Sequence, residues 1–411
     1  MNILLLTQLF QPEPAHLKGL SFAKELVGRG HHVEVLTGFP NYPSGRLYDG
    51  YRMRPWAREY LDGIRVTRVA VFPSHDNRSL HRLATYASLA LLATALGPAL
   101  LDLRRFDVVH VYEGPITLVL PALAFQMIAR VPYVLDVQDL WPESAESSGM
   151  LRSGFGLKLI DRWCRLSYRR AKQIIVPTEG FKRALVDRGV PAGKVSVIFN
   201  WCDEDAMRAG ENGAGVAAAT ERAGAFRVVY AGTMGPVQAL ESVVDAAALL
   251  QDRREVEFLF VGDGVETATL EGLVASRGIP NVRFLPRQAP QDVIPILESA
   301  DALLVHLKDD PLTRVSIPQK TQAYMAVGRP IVMAVAGEAS EVVRQADAGV
   351  VCRPGDPASI AGAVRRLLDA TPDERDMMGR NGKRFYEERF GFVNGVGRVE
   401  SVLASAGGDG A

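Results

Sequence analysis

The chain has 411 residues, of which 47% are apolar and 23% are charged, with no net charge at pH 7. This composition excludes a disordered or fibrous chain, and the length favours two domains over a single hydrophobic core. The three cysteines are far apart and form no CxxC pair, so neither a disulfide framework nor a zinc site is indicated, and a reducing cytoplasm is the expected location.

The two halves of the chain differ in charge. Residues 1–200 hold 25 Lys and Arg against 17 Asp and Glu, a balance of +8, and residues 201–411 hold 22 against 30, a balance of −8. Chance surface charge is one explanation. The other is that the basic half meets an anionic membrane surface or a phosphate-bearing acceptor.

Short apolar runs alternate with helical patterns along the first half. The predicted strands are Ile3–Leu6, Val33–Thr37, Val66–Val69, Val108–Val111, Tyr133–Val137 and Ile174–Val176. One helical pattern covers Gly19–Gly28 and ends at Arg29-Gly30 with the expected glycine stop. This alternation predicts parallel βαβ units and a doubly wound sheet.

A stretch without charge runs from Leu83 to Leu101, with arginines on both sides. Its length approaches that of a membrane span, but Gly97-Pro98 interrupts it and several small or polar residues dilute it. We expect a buried helix packed against the first sheet. A helix that lies at a membrane interface is the main alternative, and a true span is the weakest one.

The polar segment Asp203–Gly224 separates the halves and has no periodic apolar face. We interpret its acidic run Asp203-Glu204-Asp205 as solvated rather than as a metal site, because no strand precedes it. The expected domains are residues 1–200 and 226–380, with a linker over 201–225 and a C-terminal crossover helix and tail over 381–411. The helix, over Asn381–Leu403, is expected to return to the first domain.

The same strand and helix alternation restarts near Phe226. The predicted strands are Val228–Ala231, Phe258–Val261, Val282–Leu285, Ala302–His306 and Pro330–Val335. The sequence therefore predicts an α/β protein of two Rossmann-like, doubly wound domains that face each other across a cleft. Such sheets bind ligands at the carboxyl ends of their strands, so the expected ligand is of nucleotide size.

An ordered series of motifs covers nearly the whole chain. It comprises Phe10-Gln11-Pro12-Glu13-Pro14 through Lys18-Gly19, Arg29–Thr37, Pro40–Gly45, Asp136–Ser144, Tyr230–Gly235, Val261–Gly264 and Ile317–Ala326. Together these segments resemble the retaining GT-B glycosyltransferases of family four, especially the bacterial O-antigen and capsule transferases of amino sugars (fucosamine-type).

The resemblance implies a transferase that needs neither a metal nor a cofactor. It would move a sugar from a nucleotide-sugar donor, most often a UDP-sugar in this family, to a lipid-linked or saccharide acceptor. It implies a role in surface polysaccharide, such as O-antigen or lipopolysaccharide. With the basic first half, it suggests a cytoplasmic protein that sits peripherally on the inner face of the membrane. It gives no indication of nucleic-acid binding.

Four residues of the first half are implied as site residues. Lys18 and Gly19 open a helix whose backbone N–H groups favour a diphosphate. Gly19 allows a close backbone approach, although an ordinary helix-start glycine explains it too. Gln138 stands where the family often has a histidine, with Asp139 next to it, and both are expected to orient the sugar or the acceptor.

The remaining implied site residues belong to the second half and would bind the donor. They are Gly232, Thr233, Met234, Gln238, Arg287, Arg314, Pro318, Gln319, Lys320 and Thr321. Lys320 and Arg314 would hold the diphosphate together with the helix-start amides, and Lys320 would stabilise it as it leaves. Arg287 matches the loop that holds the base, and Gly262-Asp263-Gly264 is read as a structural turn.

The chain departs from the family pattern at four contacts with the donor. Val315 and Ala323 replace two glutamates, and Thr233 and Gln238 replace the arginine and lysine that hold the diphosphate. Either other groups substitute or the site has degenerated, and we favour substitution by Lys320, Arg314 and backbone amides. Two alternatives therefore stay open, which are an inactive transferase-like scaffold and a UDP-sugar 2-epimerase.

Overall fold

The structure is a computed structural model that describes residues 1–15, 17–74, 79–147, 154–210 and 224–408. The chain forms two compact units. The first comprises Met1–Phe199 with Val393–Ala411, and the second comprises Asn200–Phe392.

The first unit contains an eight-stranded sheet in the order β3-β4-β2-β1-β5-β6-β7-β8. Its strands are β1 (Asn2–Thr7), β2 (His32–Gly38), β3 (Trp56–Leu61), β4 (Ile64–Val69), β5 (Val108–Glu113), β6 (Tyr133–Val137), β7 (Gln173–Val176) and β8 (Val195–Val197). All neighbours pair in parallel except β3 and β4. The central strands are buried apolar runs because helices cover both faces of the sheet.

Six helices connect these strands. They are α1 (Leu20–Gly28), α2 (Ser79–Leu100), α3 (Val119–Ala129), α4 (Glu143–Ser147), α5 (Gly154–Arg170) and α6 (Glu179–Asp187). Short 3-10 turns lie at Leu103–Arg105, Ile116–Leu118 and Ala192–Lys194.

The antiparallel edge strand β3 is absent from the strands predicted from the sequence. It pairs with β4 across the two-residue turn Asp62-Gly63, in which both residues have positive φ, 48° and 83°. An Asp-Gly pair at this position is a strong hairpin signal, but β3 itself is not a continuous apolar run. The exposed and half-buried residues of β3 alternate, as one face of an edge strand meets water.

Helix α2 covers the uncharged stretch and packs against α3. The close approach depends on Gly97, where a Cβ would stand 2.5 Å from the Phe125 ring. By length and composition alone, His81–Leu100 could cross a membrane, and 28% of its most apolar window is buried. Core helices of soluble proteins share this property. The opposite face of α2 is open, with Leu91 59% exposed.

The second unit contains a six-stranded parallel sheet in the order β11-β10-β9-β12-β13-β14. Its strands are β9 (Phe226–Ala231), β10 (Val256–Val261), β11 (Val282–Leu285), β12 (Ala302–His306), β13 (Ile331–Ala334) and β14 (Gly349–Val351). In chain order this is the 3-2-1-4-5-6 arrangement of a dinucleotide-binding sheet.

Helices again lie on both faces of this sheet. They are α7 (Glu204–Gly210), α8 (Glu241–Ala248), α9 (Thr267–Arg277), α10 (Pro290–Glu298), α11 (Pro311–Val315), α12 (Gln319–Val327), α13 (Glu338–Ala346), α14 (Pro357–Asp369) and α15 (Pro372–Arg389). Both sheets with their covering helices confirm the predicted fold class of two Rossmann-like α/β domains.

The segment predicted as a linker, 201–225, begins with structure of its own, and its residues 211–223 lie outside the described residues. Glu204 starts α7 and accepts hydrogen bonds from the Tyr386 hydroxyl and the Phe392 amide, 2.7 and 2.8 Å. The Asp203 carboxylate caps the amide of Ala206, and Asp205 pairs with Arg208. The acidic run therefore has structural partners within the second unit.

The helix predicted over Asn381–Leu403 is two helices. Helix α15 ends at Arg389, and α16 (Phe392–Gly407) follows after a break. Arg29 and His31 hold α16 in the first unit through Glu400, at 3.1 and 2.7 Å.

Candidate functional site

In the second unit the strand order reverses between β9 and β12, and sheets of this kind bind ligands outside the carboxyl ends of the strands at that point. β9 ends at Ala231, and the next residue, Gly232, has a φ of +133°. A Cβ at Gly232 would stand 2.5 Å from Cε of Lys320. The turn therefore requires glycine for its backbone angle and for the space that Lys320 fills.

A second glycine turn supports the first. Gly262 follows β10 with a φ of +143°, and its Cβ would stand 2.1 Å from the carbonyl oxygen of Gly232. A Cβ at Gly264 would lie equally close, 2.1 Å, to the carbonyl oxygen of Met234. These contacts agree with the interpretation of Gly262–Gly264 as a structural turn. Met234 is fully buried, so its side chain faces the core rather than a ligand.

Lys320 lies in the first turn of α12 and reaches back to the end of β9. Its Nζ stands 4.0 Å from the centre of the Tyr230 ring and donates a hydrogen bond to the Tyr230 hydroxyl. That hydroxyl in turn donates to the carbonyl oxygen of Thr233. The ammonium group is thus fixed beside the glycine turn.

Among the described residues, no carboxylate forms an ion pair with Lys320. Burial lowers its pKa to about 7, because the charged ammonium loses its hydration. A half-buried cation that no described carboxylate compensates, at the point where the strand order reverses, is suited to an anionic ligand.

The start of α12 adds backbone groups to this site. Pro318 occupies the N-cap position and no side chain caps the helix, so no capping group offsets the positive end of the helix dipole. The amide of Thr321 donates to the carbonyl oxygen of Pro318 at 2.8 Å. The Tyr324 hydroxyl accepts from the amide of Ala231 at 2.9 Å and fixes the helix to β9. Gln319 is exposed at the surface, whereas Thr321 is completely buried beneath the helix. The Thr321 hydroxyl is accordingly not accessible to a ligand.

Two further residues implied as donor contacts belong to the turn after Gly232. Gln238 uses its side-chain oxygen to accept from the amide of Gly235, 3.1 Å, so it stabilises the turn. Its carbonyl oxygen accepts from Nδ1 of the buried His306 at 2.6 Å. Thr233 is exposed. Its main-chain carbonyl oxygen accepts a hydrogen bond from the Tyr230 hydroxyl, which also contacts Lys320.

The two arginines implied for the donor differ in their surroundings. Arg314 forms a bidentate pair with Asp309, Nε to Oδ1 at 2.5 Å and Nη2 to Oδ2 at 2.8 Å, which raises the pKa of Arg314. Its charge is therefore already compensated, and Lys320 is the better anion partner. Arg287 is exposed in the loop after β11 and forms no ion pair with any described residue.

In the first unit, Lys18 is buried rather than presented to solvent. Its Nζ stands 3.8 Å from Asp136 Oδ2, with both side chains almost completely enclosed. His110 Nε2 lies 3.2 Å from the same carboxylate, and the Gln138 amide donates to its other oxygen. Burial alone would raise the pKa of Asp136, but Lys18, His110 and Gln138 hold it below its usual value. Burial also lowers the pKa of Lys18 to about 8.

This network fixes the loop after β6. The Gln138 side chain is oriented by Asp136, which accepts a hydrogen bond from its amide nitrogen. Asp139 faces solvent beside it. Neighbouring protein groups partly remove the hydration of the Asp139 carboxylate and so raise its pKa, while the positive charge of Arg82 acts in the opposite direction. The structure therefore brings Gln138 and Asp139 to the carboxyl edge of the first sheet.

Gly19 is required by the loop before α1. A Cβ there would stand 1.9 Å from the carbonyl oxygen of Ala15. The amide of Leu20 donates to Gln11 Oε1 at 2.7 Å. One of the helix-start amides expected to face a diphosphate thus has an internal partner.

A cavity of about 370 Å³ opens beside the end of β1, the strand next to which the strand order of the first sheet reverses. We call it the switch-point cavity. Its lining comes from the ends of β1, β2 and β4 and from α2, and comprises Gln8, Leu9, Asn41, Tyr42, Val71, Ser74, Arg82, Thr85, Tyr86 and Leu89. The buried Glu13 shapes it by accepting from the amides of Asn41 and Tyr42, both at 2.8 Å.

Sequence reasoning missed several of these groups. Tyr230 and Asp136 act on predicted site residues, Lys320 and Gln138, yet each is part of a strand and reads as core. The switch-point residue Gln8 lies two residues after the predicted strand Ile3–Leu6, and that position was the available signal.

Two family models match the chain. A glycosyl transferase 4-like domain covers residues 20–201, and a glycosyl transferases group 1 domain covers residues 225–370. With the two Rossmann-like units, these matches define the class of protein. The chain belongs to the group 1 glycosyltransferases of GT-B fold.

Curated relatives and solved structures agree with this assignment. An Escherichia coli glycosyl transferase assigned to colanic acid biosynthesis is 26% identical over 74% of this chain and 75% of its own. The N-acetyl-alpha-D-glucosaminyl L-malate synthase of Bacillus anthracis is 22% identical over 90% and 88%. The structure of Anabaena HepE in complex with UDP-glucose superposes with a TM-score of 0.67 at 20% identity, over 98% of this chain and 100% of that one.

Proposed function

We propose that the protein is a retaining hexosyltransferase that takes a sugar from a UDP-sugar and passes it to a lipid-linked or saccharide acceptor. The observation that carries the proposal is the Lys320 cation. It stands beside the glycine turn after β9 and lacks a carboxylate partner among the described residues.

The donor diphosphate would lie between Gly232 and the start of α12. Lys320 and the positive end of the α12 dipole would face the place where negative charge develops as the bond between the sugar and the diphosphate breaks. These groups take over from the family's charged residues at Thr233 and Gln238. Because Lys320 supplies the positive charge, the reaction needs neither a metal nor a cofactor.

The acceptor would occupy the switch-point cavity of the first unit. Its hydroxyl attacks the anomeric carbon on the face from which the diphosphate departs, so the configuration is retained. The departing diphosphate takes the acceptor proton, and no protein base is needed. Gln138, held by Asp136, and Asp139 orient the sugar or the acceptor.

The sugar and the pathway are suggested by the names of relatives. The Escherichia coli relative is assigned to colanic acid biosynthesis, and the Bacillus anthracis relative carries N-acetylglucosaminyl in its name. The first name supports surface polysaccharide, such as O-antigen or lipopolysaccharide, as the product, and the second supports an N-acetylated amino sugar as the transferred group. UDP fits the Anabaena neighbour, whose structure contains UDP-glucose.

The cytoplasmic protein would act as a peripheral protein on the inner face of the membrane. Two properties of the first unit support this placement. Residues 1–200 carry a charge balance of +8, and exposed large apolar side chains are grouped on its helices, at Leu91, Met127, Ile128, Phe155 and Leu159.

Calorimetry with UDP, GDP, ADP, TDP and CMP, without added metal, tests the donor site. We expect selective binding of UDP, which Lys320→Ala weakens by about tenfold or more and Gln138→Ala leaves nearly unchanged. Equal affinities for wild type and both variants would remove Lys320 from the site. Tight UDP binding without hydrolysis or transfer of any UDP-sugar would instead favour a scaffold protein.

A further inference from the structure

The first unit holds a second cavity, of about 440 Å³, that the proposed reaction does not use. It lies between the loop before β3, the start of β3 and the ends of β2 and β4. We call it the arginine cavity. The side chains that give it its character are Phe39, Tyr51, Arg52, Arg54, Arg58 and Arg68.

The floor of the cavity is the ion pair between Arg68 and Glu59. Arg68 is 1% exposed, and its Nε contacts Glu59 Oε1 at 2.5 Å. It also donates to the carbonyl oxygens of Gly38 and Gln11. The Tyr51 hydroxyl donates to Glu59 at 3.1 Å, and the Arg68 guanidinium lies 5.2 Å from the centre of the Tyr51 ring. The one carboxylate of the lining is therefore fully used.

The rim is a set of uncompensated cations. Arg52, Arg54 and Arg58 are exposed, and none forms an ion pair with a described carboxylate. Arg58 donates one bond, from Nη2 to the carbonyl oxygen of Leu100 at 2.6 Å, which anchors it at the end of α2. Several guanidinium groups around one concavity repel each other unless an anion lies between them.

The arginine cavity opens at the same edge of the sheet as the switch-point cavity. Phe39 directly follows β2, and Arg68 is the last residue but one of β4, where it pairs with Ala57 at the start of β3. The segment from Phe39 to Tyr42 lines both cavities, with Phe39 in one and Asn41 and Tyr42 in the other. Both cavities are therefore lined in part by the same loop after β2.

We propose that the arginine cavity binds the phosphate or diphosphate group of the acceptor, while the acceptor hydroxyl lies in the switch-point cavity. Guanidinium groups bind phosphate oxygens in bidentate fashion. Several of them around one cavity match the multiple negative charges of a phosphate or diphosphate, whereas a neutral sugar would leave their charges uncompensated. This inference rests on the proposed transferase function, and it assigns the acceptor to the class of sugar or lipid phosphates.

The test is calorimetry with inorganic diphosphate in the presence of saturating UDP, which occupies the donor site. We expect wild type to bind diphosphate and the double variant Arg52→Ala/Arg54→Ala to bind it about tenfold or more weakly. Arg169→Ala removes an exposed arginine of α5 that does not line the cavity, and it should bind as wild type does. Equal binding by the double variant and wild type would overturn the inference.

A second arm distinguishes a soluble phosphate from a lipid headgroup. Flotation is compared with vesicles of phosphatidylcholine alone and with vesicles that contain phosphatidic acid. Loss of phosphatidic acid binding in the double variant alone supports a site that takes a phosphate presented by a bilayer. No effect of the double variant in either arm refutes the site. UDP binding, measured in the same samples, reports on the donor site separately, so failure of the arginine cavity leaves the proposed function testable.

Discussion

Burial of a lysine beside an aromatic ring is unfavourable unless a negative charge compensates it, because the ammonium group loses its hydration. Lys320 has a hydrogen bond to Tyr230 and the face of its ring, but no carboxylate partner among the described residues. The same loss of hydration lowers the pKa of Lys320 to about 7. A ligand with a diphosphate would restore the missing charge, so the free protein is less stable than it could be.

Lys320→Met should therefore stabilise the free protein. The folded-state pKa of Lys320 lies below its unfolded value, so the group lowers stability progressively as pH falls from about 10.5 towards 7. At pH 7 the neutral methionine removes this loss of stability, because it carries no charge to be buried. We expect the Tm of the free variant to rise by about 2–4 °C, and the further rise that UDP gives wild type to be lost. A Tm below that of wild type would contradict the account.

The same lysine predicts how UDP affinity depends on pH. Bound diphosphate favours the charged ammonium and raises its pKa, so above pH 7 binding must take up a proton. Between pH 7 and 9 we expect UDP affinity to fall by up to about tenfold per pH unit. Calorimetry in two buffers of different ionisation enthalpy measures the uptake. Lys320→Arg, which stays charged, should show a flat profile, and an equally steep profile for that variant would exclude Lys320 as the titrating group.

Gly232→Ala should damage the donor site in a specific way. The new Cβ would stand 2.5 Å from Lys320 Cε, and the φ of +133° is unfavourable for alanine. We expect UDP binding to weaken by about tenfold or more as the lysine is displaced. Gly278→Ala is the matched control, since Gly278 also has a positive φ, +60°, but has open space around it. It should lose stability and keep UDP affinity.

At the scale of elements, the sequence predicts the central strands well, since strands covered on both faces are continuous apolar runs. Ala302–His306 and Tyr133–Val137 have the predicted bounds. The edge strand β3 was missed because Arg58 and Glu59 interrupt its apolar residues, and the short β8 and β14 carry too few residues for a pattern.

The candidate site could be predicted only in part, and the reason is physical. Motif position places Lys320 at a helix start, as the structure shows. It does not reveal that Lys18 turns inward to Asp136, or that Asp309 already pairs with Arg314. Such pairs depend on which side chains the fold brings together, and their spacing in the chain carries no signal.

The network at the end of β6 predicts a strong coupling between Lys18 and Asp136. Asp136→Asn leaves the Lys18 ammonium buried without its counter-charge, which typically costs about 3–5 kcal/mol. We expect a large fall in Tm for that variant. The double variant Lys18→Met/Asp136→Asn removes both charges and should recover much of the loss. If thermal denaturation shows that the two substitutions simply add, the pair is not coupled as its geometry implies.

At the scale of the whole chain, two sheets with the same central strand order carry different surfaces. In each sheet the strand order reverses next to the first strand of the unit, at β1 and at β9. The second unit presents Lys320 there, which no described carboxylate compensates, and the first presents a cavity flanked by arginines. The balance of +8 belongs to the first half and −8 to the second. Attraction to an anionic surface would therefore be concentrated in the first unit.

The exposed apolar residues of α5 allow this orientation to be tested. Phe155 and Leu159, one helical turn apart, are 81% and 62% exposed, and basic residues surround them on the same helix. Membrane-interface helices have this combination. Phe155→Asp/Leu159→Asp should reduce co-sedimentation with vesicles that contain phosphatidylglycerol by about tenfold, because it removes apolar contact and adds negative charge.

The control for this experiment is Val265→Asp. Val265 is 79% exposed, as apolar as the α5 residues, and belongs to the second unit. If the first unit alone faces the membrane, the Val265 variant should sediment as wild type does, and 0.5 M salt should release wild type from the vesicles by screening the basic surface. Equal loss for both variants would show that exposed apolar residues act without regard to the unit that carries them, and the charge asymmetry would then not orient the protein.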